Sequence, residues 1–238
     1  MINSILLSVL LMAQSSGLST ISSAKEPEVR PVASSKILYS AYPVEKSSSS
    51  KFLVDKFSSL ESKVQNYEKL SKDEKQKLDV EIRKVVSSAL DLDTLGRRAM
   101  LAYWDEVAKL SQGQKKLDDY QKVFKDLVEE NYLEKARSYI NKDHQIYLIE
   151  EDEKSKLVLI KAYLKKADAD VLLEFKMQKN PPAILDIKLD DTSLEGTYRS
   201  SFNRIIRGKD KLEDGFQELM RVMNARLDEL RKDGATRL

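Results

Sequence analysis

The chain contains no cysteine among its 238 residues. This absence excludes disulfide bonds, thiolate metal sites, cysteine nucleophiles and lipidation at a lipobox-type cysteine. The only histidine is His144, so a zinc site built on several histidines is also excluded. A Ser-His-Asp arrangement would need His144 as its base, and that residue lies in a polar, turn-like stretch where we expect a solvated side chain. The sequence therefore predicts no metal site, no cofactor and no catalytic residue.

Glycine and proline are scarce as well, with 7 and 5 residues. Because these residues punctuate strands and tight turns, their scarcity favours helix. Hydrophobic residues make up 41% of the chain and charged residues 34%, which supplies a core but leaves too much charge for a membrane protein. The 41 basic and 39 acidic residues nearly cancel, and this balance gives no reason to expect nucleic acid as a partner.

Long apolar runs are missing too, and the short run near the N-terminus is typical of an export signal. Residues 5–13 are apolar, and a small, polar segment follows that ends at Ala24. We expect a signal peptide over residues 1–24, with cleavage after Ala24. No Lys or Arg precedes the run, so either the true start lies upstream or the signal is atypical; a buried N-terminal helix is the alternative. A membrane span needs about 20 apolar residues, and no later stretch offers one, so we expect a soluble mature protein.

Residues 25–50 are predicted to be a disordered linker. They contain three prolines and a run of four serines, with no sustained hydrophobic period. Such a segment buries too little apolar surface to offset the entropy lost on ordering. A single folded domain is predicted over residues 51–238.

From residue 51 the apolar residues recur with the period of a helix. The first helical face consists of Leu53, Phe57, Leu60, Val64 and Tyr67. The predicted start signals of the next three helices are Ser71 with Glu74, the N-cap Asp93, and Ser111 with Gln114. The third of these four helices carries Leu95, Ala99, Tyr103 and Trp104, and the fourth extends to about residue 139.

After residue 144 the hydrophobic period changes to two, which predicts strands. The four strand candidates cover residues 145–150, 156–165, 170–178 and 183–190. Clean alternation is typical of antiparallel strands with one wet face. Two further helices are predicted over residues 194–207 and 209–231, separated by Gly208. Segregated helices and strands predict an α+β fold, mostly helical, in which helices cover a curved, four-stranded antiparallel sheet.

Two segments carry a resemblance to a known family. The first covers residues 92–104 (LDTLGRRAMLAYW), followed by residues 120–127 (YQKVFKDL) and Tyr132. The second covers residues 185–208 (LDIKLDDTSLEGTYRSSFNRIIRG), followed by Leu212. Together they resemble the conserved stretches of the MlaC family, also called the toluene-tolerance family. Two departures mark a divergent member: residues 182–184 (PAI) replace the family's usual Trp, and residues 150–154 (EEDEK) replace a Gly-rich turn.

The resemblance implies a fold, a function and a set of partners. MlaC-like proteins are NTF2-like α+β carriers of the Gram-negative periplasm that hold phospholipid acyl chains in an apolar cavity between sheet and helices. They are auxiliary components of an ABC transport system that maintains outer-membrane lipid asymmetry. They exchange lipid with an outer-membrane lipoprotein complex and with an inner-membrane ABC transporter that bears an MCE protein. Some relatives are linked to other hydrophobic cargo, such as hopanoids.

The period of the strands and helices then nominates residues to line such a cavity. The candidate lipid-binding residues are Val158, Ile160, Val171, Leu173, Phe175, Met177, Leu185, Ile187, Tyr198 and Phe202. Arg199 is a candidate for contact with a lipid phosphate, because guanidinium matches phosphate oxygens. The alternative is that the apolar residues only pack against helices and that Arg199 is solvated.

Two other classes of function remain open on the sequence. An enzyme would have to use carboxylates such as Asp186, Asp190 and Asp191, which a helix N-terminus explains without chemistry. We therefore expect no enzymatic activity. A non-enzymatic adaptor of the envelope would instead bind partners through the amphipathic helices predicted over residues 51–70 and 111–139.

Overall fold

The fold contains seven helices and six strands in the part of the chain that the structure, a computed structural model, describes. The described residues are 37–39, 48–64, 67–138, 145–154, 157–165, 170–189 and 192–236. The helices are α1 (Ser48–Val64), α2 (Lys72–Ala89), α3 (Leu92–Met100), α4 (Ala102–Ala108), α5 (Gly113–Ser138), α6 (Leu194–Arg207) and α7 (Leu212–Thr236). The strands are β1 (Ile37–Tyr39), β2 (Gln145–Lys154), β3 (Leu157–Lys165), β4 (Asp170–Lys179), β5 (Pro182–Leu189) and β6 (Thr192–Ser193).

The four long strands form one antiparallel sheet, as the sequence predicts. The strand order is β1-β2-β3-β4-β5-β6, so neighbours in the chain are neighbours in the sheet. Two short strands extend it: β1 pairs in parallel with β2 at one edge, and β6 pairs with β5 at the other. Phe175 lies opposite Ile160 on β3 and Ile187 on β5, and directly paired side chains point to the same face of a sheet. The α+β architecture is therefore confirmed.

The domain boundaries predicted from the sequence fall largely outside the described residues. The predicted signal peptide, residues 1–24, lies wholly outside them. The predicted linker, residues 25–50, includes β1 and the first three residues of α1 among the residues that are described. The Ile-Leu-Tyr triplet of β1 is apolar and adds to the edge of β2. No helix of the described part is long and apolar enough to cross a membrane.

Side-chain caps fix where the helices begin. Ser71 and Glu74 form the predicted capping box at α2: the Glu74 N–H donates to Ser71 Oγ, and the Ser71 N–H donates to Glu74 Oε2 at 2.9 Å. The prediction that Asp93 is the N-cap of α3 is wrong. Asp91 caps the helix instead, because its Oδ1 accepts the Thr94 N–H at 2.9 Å. Asp93 lies in the first turn, where a negative charge is also favourable.

Two further predictions on the helices are wrong. The single helix expected from Asp93 through Trp104 is broken at Leu101, whose φ of 34° ends α3 and redirects the chain into α4. The capping box expected at Ser111 does not form. The side chain of Gln114 donates to Asp118 at 2.8 Å instead of reaching back, and α5 begins at Gly113.

The core lies between the sheet and the helices. Helices α1, α2, α3 and α6 contact β5, and α1 also contacts β4, while α5, α6 and α7 pack on one another. One large cluster of buried apolar side chains draws on the inner faces of all these elements. A smaller cluster joins Leu60, Tyr67, Ile82 and Leu133. Helices α6 and α7 approach each other closely at Gly215, where a Cβ atom would lie 2.5 Å from the carbonyl oxygen of Ile206.

Candidate functional site

The inner face of the sheet is a continuous apolar surface. Six of the candidate residues lie on it, all of them buried in the main cluster: Val158, Ile160, Leu173, Phe175, Met177 and Ile187. Their inward direction follows from the period-two alternation, since the opposite face carries residues such as Glu174 and Lys188, which form an ion pair at 3.6 Å. The backbone of Val171 belongs to β4, but its side chain lies outside the described part.

A β-bulge changes which residues of β5 face the core. Lys176 pairs with Asp186, whereas the next residue, Met177, pairs with Ile184, so Leu185 is the extra residue. Ile184 consequently joins the main cluster beside Met177. Leu185 is buried but belongs to neither of the two clusters. Strict alternation predicts that Leu185 points inward and that Ile184 does not. It cannot predict the bulge, because a bulge of this kind has no signal in the hydrophobic period.

The helical side of the same layer is aromatic. Tyr198 and Phe202 on α6 pack against Phe124 on α5, with ring centroids 5.0 Å and 6.1 Å away. Tyr120 stacks on Phe124 at 5.8 Å and meets Phe202 edge-on at 6.0 Å. The structure thus brings the two candidate aromatic residues into the same cluster as the sheet residues. Tyr120 and Phe124 belong to the motif of residues 120–127 but are not among the residues that the hydrophobic period nominates for the lining.

Three tyrosine hydroxyls reach into this apolar surrounding, and two of them are satisfied. The Tyr120 hydroxyl donates to the carbonyl oxygen of Gly96 at 2.9 Å. The Tyr198 hydroxyl bonds to the side chain of Asn131, while burial raises its pKa to about 12. The Tyr132 hydroxyl is buried and has no hydrogen-bond partner among the described residues. Burial raises the pKa of Tyr132 well above its ordinary value, so the phenol is neutral at pH 7.

The candidate phosphate contact, Arg199, already has protein partners. Its guanidinium forms an ion pair with Glu195 one turn earlier on α6, and its Nε donates to the carbonyl oxygen of Arg98 at 3.4 Å. Arg98 lies 3.7 Å from the same carboxylate. Two guanidinium groups therefore share the Glu195 carboxylate, and the carboxyl group of Asp186 lies nearby. A role for Arg199 in headgroup contact stays a prediction.

Asp186 is the one candidate acid whose side chain is described, and it acts as a helix cap. Its Oδ1 accepts the backbone N–H groups of Ile187 and Glu195, each at 2.9 Å. Burial raises its pKa above the ordinary value, against these two hydrogen bonds and a third with the Ser193 side chain, and the nearby charge of Glu195 raises it further. Asp190, Asp191 and His144 lie outside the described part. Within that part, no group of three or more acidic or histidine side chains is placed to hold a metal ion.

The raised pKa of Asp186 predicts a pH-dependent effect of Asp186→Asn. The folded state holds the proton to higher pH than the unfolded chain does. The contribution of Asp186 to the free energy of unfolding is therefore fully present below its ordinary pKa. It is lost as the pH rises through the pKa that the group has in the folded state. Asparagine keeps an acceptor oxygen for both N–H groups and carries no charge. We expect the melting temperature of Asp186→Asn, relative to the parent, to be higher at pH 7 than at pH 3.

Thermal denaturation followed by circular dichroism at the two pH values measures this effect. Asp210→Asn is the matched control, because Asp210 is exposed in the connection between α6 and α7. A melting temperature of Asp186→Asn below that of the parent at pH 7 would show that the carboxylate charge stabilises the helix start more than burial penalises it.

Comparison with known proteins agrees with this geometry. The sequence profile of the MlaC protein family matches residues 57–225, well over half of the chain. The chain belongs to the MlaC family. The matched region of this MlaC-family chain contains about half of α1, strands β2 to β5, α6 and much of α7, so it includes every candidate site residue.

One solved structure similar to this MlaC-family chain is a phospholipid-binding protein from Ralstonia solanacearum in complex with a phospholipid. The match covers 77% of this chain and 98% of that one, with a TM-score of 0.59 and 15% sequence identity. At this identity the likeness establishes the shared fold. No curated protein sequence matches the chain significantly.

Proposed function

We propose that this MlaC-family chain is a non-enzymatic carrier that binds phospholipid acyl chains between its sheet and its helices. The observation that carries the proposal is the single apolar layer in which β3, β4, β5 and the aromatic faces of α5 and α6 meet. The similar protein from Ralstonia solanacearum, which holds a phospholipid, supports it. The layer contains no ion pair and no metal-binding group among the described residues, as a site for hydrocarbon requires.

The energetics of acyl chains favour such a surface. Burial of each methylene group is worth about 0.8 kcal/mol, so a membrane stabilises two long acyl chains strongly. The chains leave the membrane only for a site that is comparably apolar. The carrier must also release its cargo, which excludes covalent attachment. Val158, Ile160, Val171, Leu173, Phe175, Met177, Leu185, Ile187, Tyr198 and Phe202 are the proposed lining, with Arg199 at the headgroup.

The proposal extends to location and partners. Export of the chain through a signal in residues 1–24 would bring the domain of residues 51–238 to the periplasm, tethered by the linker of residues 25–50. There the chain would shuttle phospholipid between an outer-membrane lipoprotein complex and an inner-membrane MCE-protein and ABC-transporter complex. Membership in the MlaC family supports this role in outer-membrane lipid asymmetry.

Native mass spectrometry of the full chain, purified without detergent and then extracted with organic solvent, tests the proposal. We expect a discrete added mass that matches a diacyl lipid. Leu173→Glu should abolish it, because Leu173 is 0% exposed on the inner face of β4. Leu172→Glu is the matched control, since the neighbouring residue points to the other face and is only half-buried.

Circular dichroism must show that Leu173→Glu still folds. If it does not, Ile160→Trp tests the same surface by filling space without adding charge. A chain that stays free of lipid, even after incubation with phospholipid vesicles, would contradict the carrier.

An envelope adaptor is the second candidate, favoured by one observation. A surface groove of about 540 Å³ lies between α2 and α5, away from the apolar layer. Its lining is mostly charged or polar: Val80, Arg83, Lys84, Ser87, Ser88, Lys125 and Glu129. A chain without lipid that binds an envelope protein through this groove would fit the adaptor.

A further inference from the structure

Helix α5 carries two buried tyrosines in contrasting states. Tyr120 and Tyr132 are the two largest of the fully buried side chains, and both belong to the main cluster. They are 12 residues apart in the chain, which on a helix places them roughly 18 Å apart along the axis. The Tyr120 hydroxyl donates to Gly96, whereas the Tyr132 hydroxyl has no partner in the part of the chain that the structure describes. The two residues thus differ in whether the fold itself completes the hydrogen bond.

A buried hydroxyl without a hydrogen-bond partner, such as that of Tyr132, is unusual in a folded protein. The great majority of buried polar atoms in folded proteins have a partner, because burial without one costs the full desolvation of the group. Phenylalanine would fill the place of Tyr132 in the apolar cluster without that cost. The hydroxyl therefore indicates a polar partner atom that the described residues do not supply.

The surroundings of Tyr132 restrict what that atom can be. The phenol is neutral and offers one donor proton, so it suits an acceptor oxygen. Burial, the main cause of the raised Tyr132 pKa, disfavours a negative charge at this position, and the carboxyl group of Asp186 acts in the same direction. A phosphate is thus a poor occupant. An uncharged carbonyl oxygen, carried into the apolar layer on a hydrocarbon chain, fits both conditions.

We propose that the Tyr132 hydroxyl donates a hydrogen bond to an acyl-ester carbonyl oxygen of the bound lipid. This inference rests on the proposed carrier function and deepens it, because it names the class of cargo. Ester-linked lipids satisfy the hydroxyl. Ether-linked lipids have no carbonyl oxygen and offer only the ether oxygen next to the glycerol, and polycyclic hydrocarbons offer no acceptor, so neither class forms this bond. Tyr132 is accordingly a specificity residue at the boundary between the acyl chains and the glycerol.

A competition experiment on the full chain tests the proposal. The chain is incubated with vesicles that contain equal amounts of dioleoyl phosphatidylcholine and its dioleyl ether analogue. Native mass spectrometry then gives the ratio of the two bound lipids. The parent chain should favour the ester lipid by roughly three- to tenfold, the discrimination expected for one hydrogen bond. Tyr132→Phe should bring the ratio close to one.

Tyr120→Phe is the matched control, on the same helix and equally buried. It should leave the ester preference unchanged, because the Tyr120 hydroxyl is already committed to Gly96. The melting temperature of the lipid-free protein gives a second readout. Tyr120→Phe should lower it, since the Gly96 carbonyl loses its donor, whereas Tyr132→Phe should leave it unchanged or higher.

The outcomes separate this inference from the carrier function. Equal uptake of both lipids by the parent chain, or an ester preference that survives Tyr132→Phe, overturns the inference and leaves the carrier intact. Uptake of neither lipid overturns both. An ester preference that is lost only in Tyr132→Phe supports both.

Discussion

Phe124→Ala should lower the free energy of unfolding by about 3–5 kcal/mol, the range for truncating a fully buried phenylalanine. Phe124 is 0% exposed and lies at the centre of the aromatic face, in contact with Tyr120, Tyr198 and Phe202. The loss combines the removed apolar surface, the cavity left behind and the ring–ring geometry, which itself is worth about 0.5–1.5 kcal/mol per pair. Urea denaturation followed by far-UV circular dichroism measures it.

Phe52→Ala is the control for this truncation. Phe52 lies on α1 and is only half-buried against the main cluster, with Lys56 above its ring at 5.1 Å. Its loss should be clearly smaller than that of Phe124. Similar losses for the two variants would mean that the aromatic face of α5 relaxes into the space and is no more tightly packed than the periphery.

Gly215→Ala should destabilise the protein by roughly 1–3 kcal/mol, although alanine is the better helix former. The added Cβ would lie 2.5 Å from the carbonyl oxygen of Ile206 and 3.0 Å from its Cα. These are backbone atoms of α6, so no rotamer change relieves the clash and α6 must move away from α7. The melting temperature reports the loss. Because α6 carries Tyr198 and Phe202, we also expect weaker retention of any bound lipid.

Gly208→Ala is the companion variant. At that position a Cβ would lie 3.3 Å from the carbonyl oxygen of Ile205, and the φ of −70° suits alanine. The melting temperature should change little. A Gly215→Ala protein as stable as Gly208→Ala would show that α6 and α7 tolerate a wider separation than the structure has.

The elements that the sequence predicts best are those with local signals at both ends. Helix α6 spans Leu194–Arg207, the predicted bounds, because Ser193 Oγ accepts the Gly196 N–H at its start and Gly208 ends it. The four strands follow from period two alone. The break at Leu101 has no such signal, because a leucine at positive φ depends on how α3 and α4 pack against the rest of the fold.

The candidate site shows the same division. Periodicity predicts that Leu173 and Phe175 point inward, since each strand residue has only two faces to choose from. Periodicity does not predict the bulge at Leu185, which arises from the pairing of β5 with β4. The bulge brings Ile184, and not Leu185, into the main cluster beside Met177. The unpaired hydroxyl of Tyr132 and the sharing of Glu195 by two arginines depend on distances between segments far apart in the chain. No pattern along the sequence encodes them.

The strand order of the sheet has a consequence for the path of folding. From β2 to β5 each strand pairs with the next one in the chain, so each of these hairpins closes a short loop and forms early. Strand β1 is different, because pairing Ile37 with Ile146 closes a loop of about a hundred residues for a ladder of three. We expect β1 to dock last, after the nucleus has condensed, and to exchange its amide hydrogens first. The edge of β2 that faces β1 is then the last part of the sheet to form its hydrogen bonds.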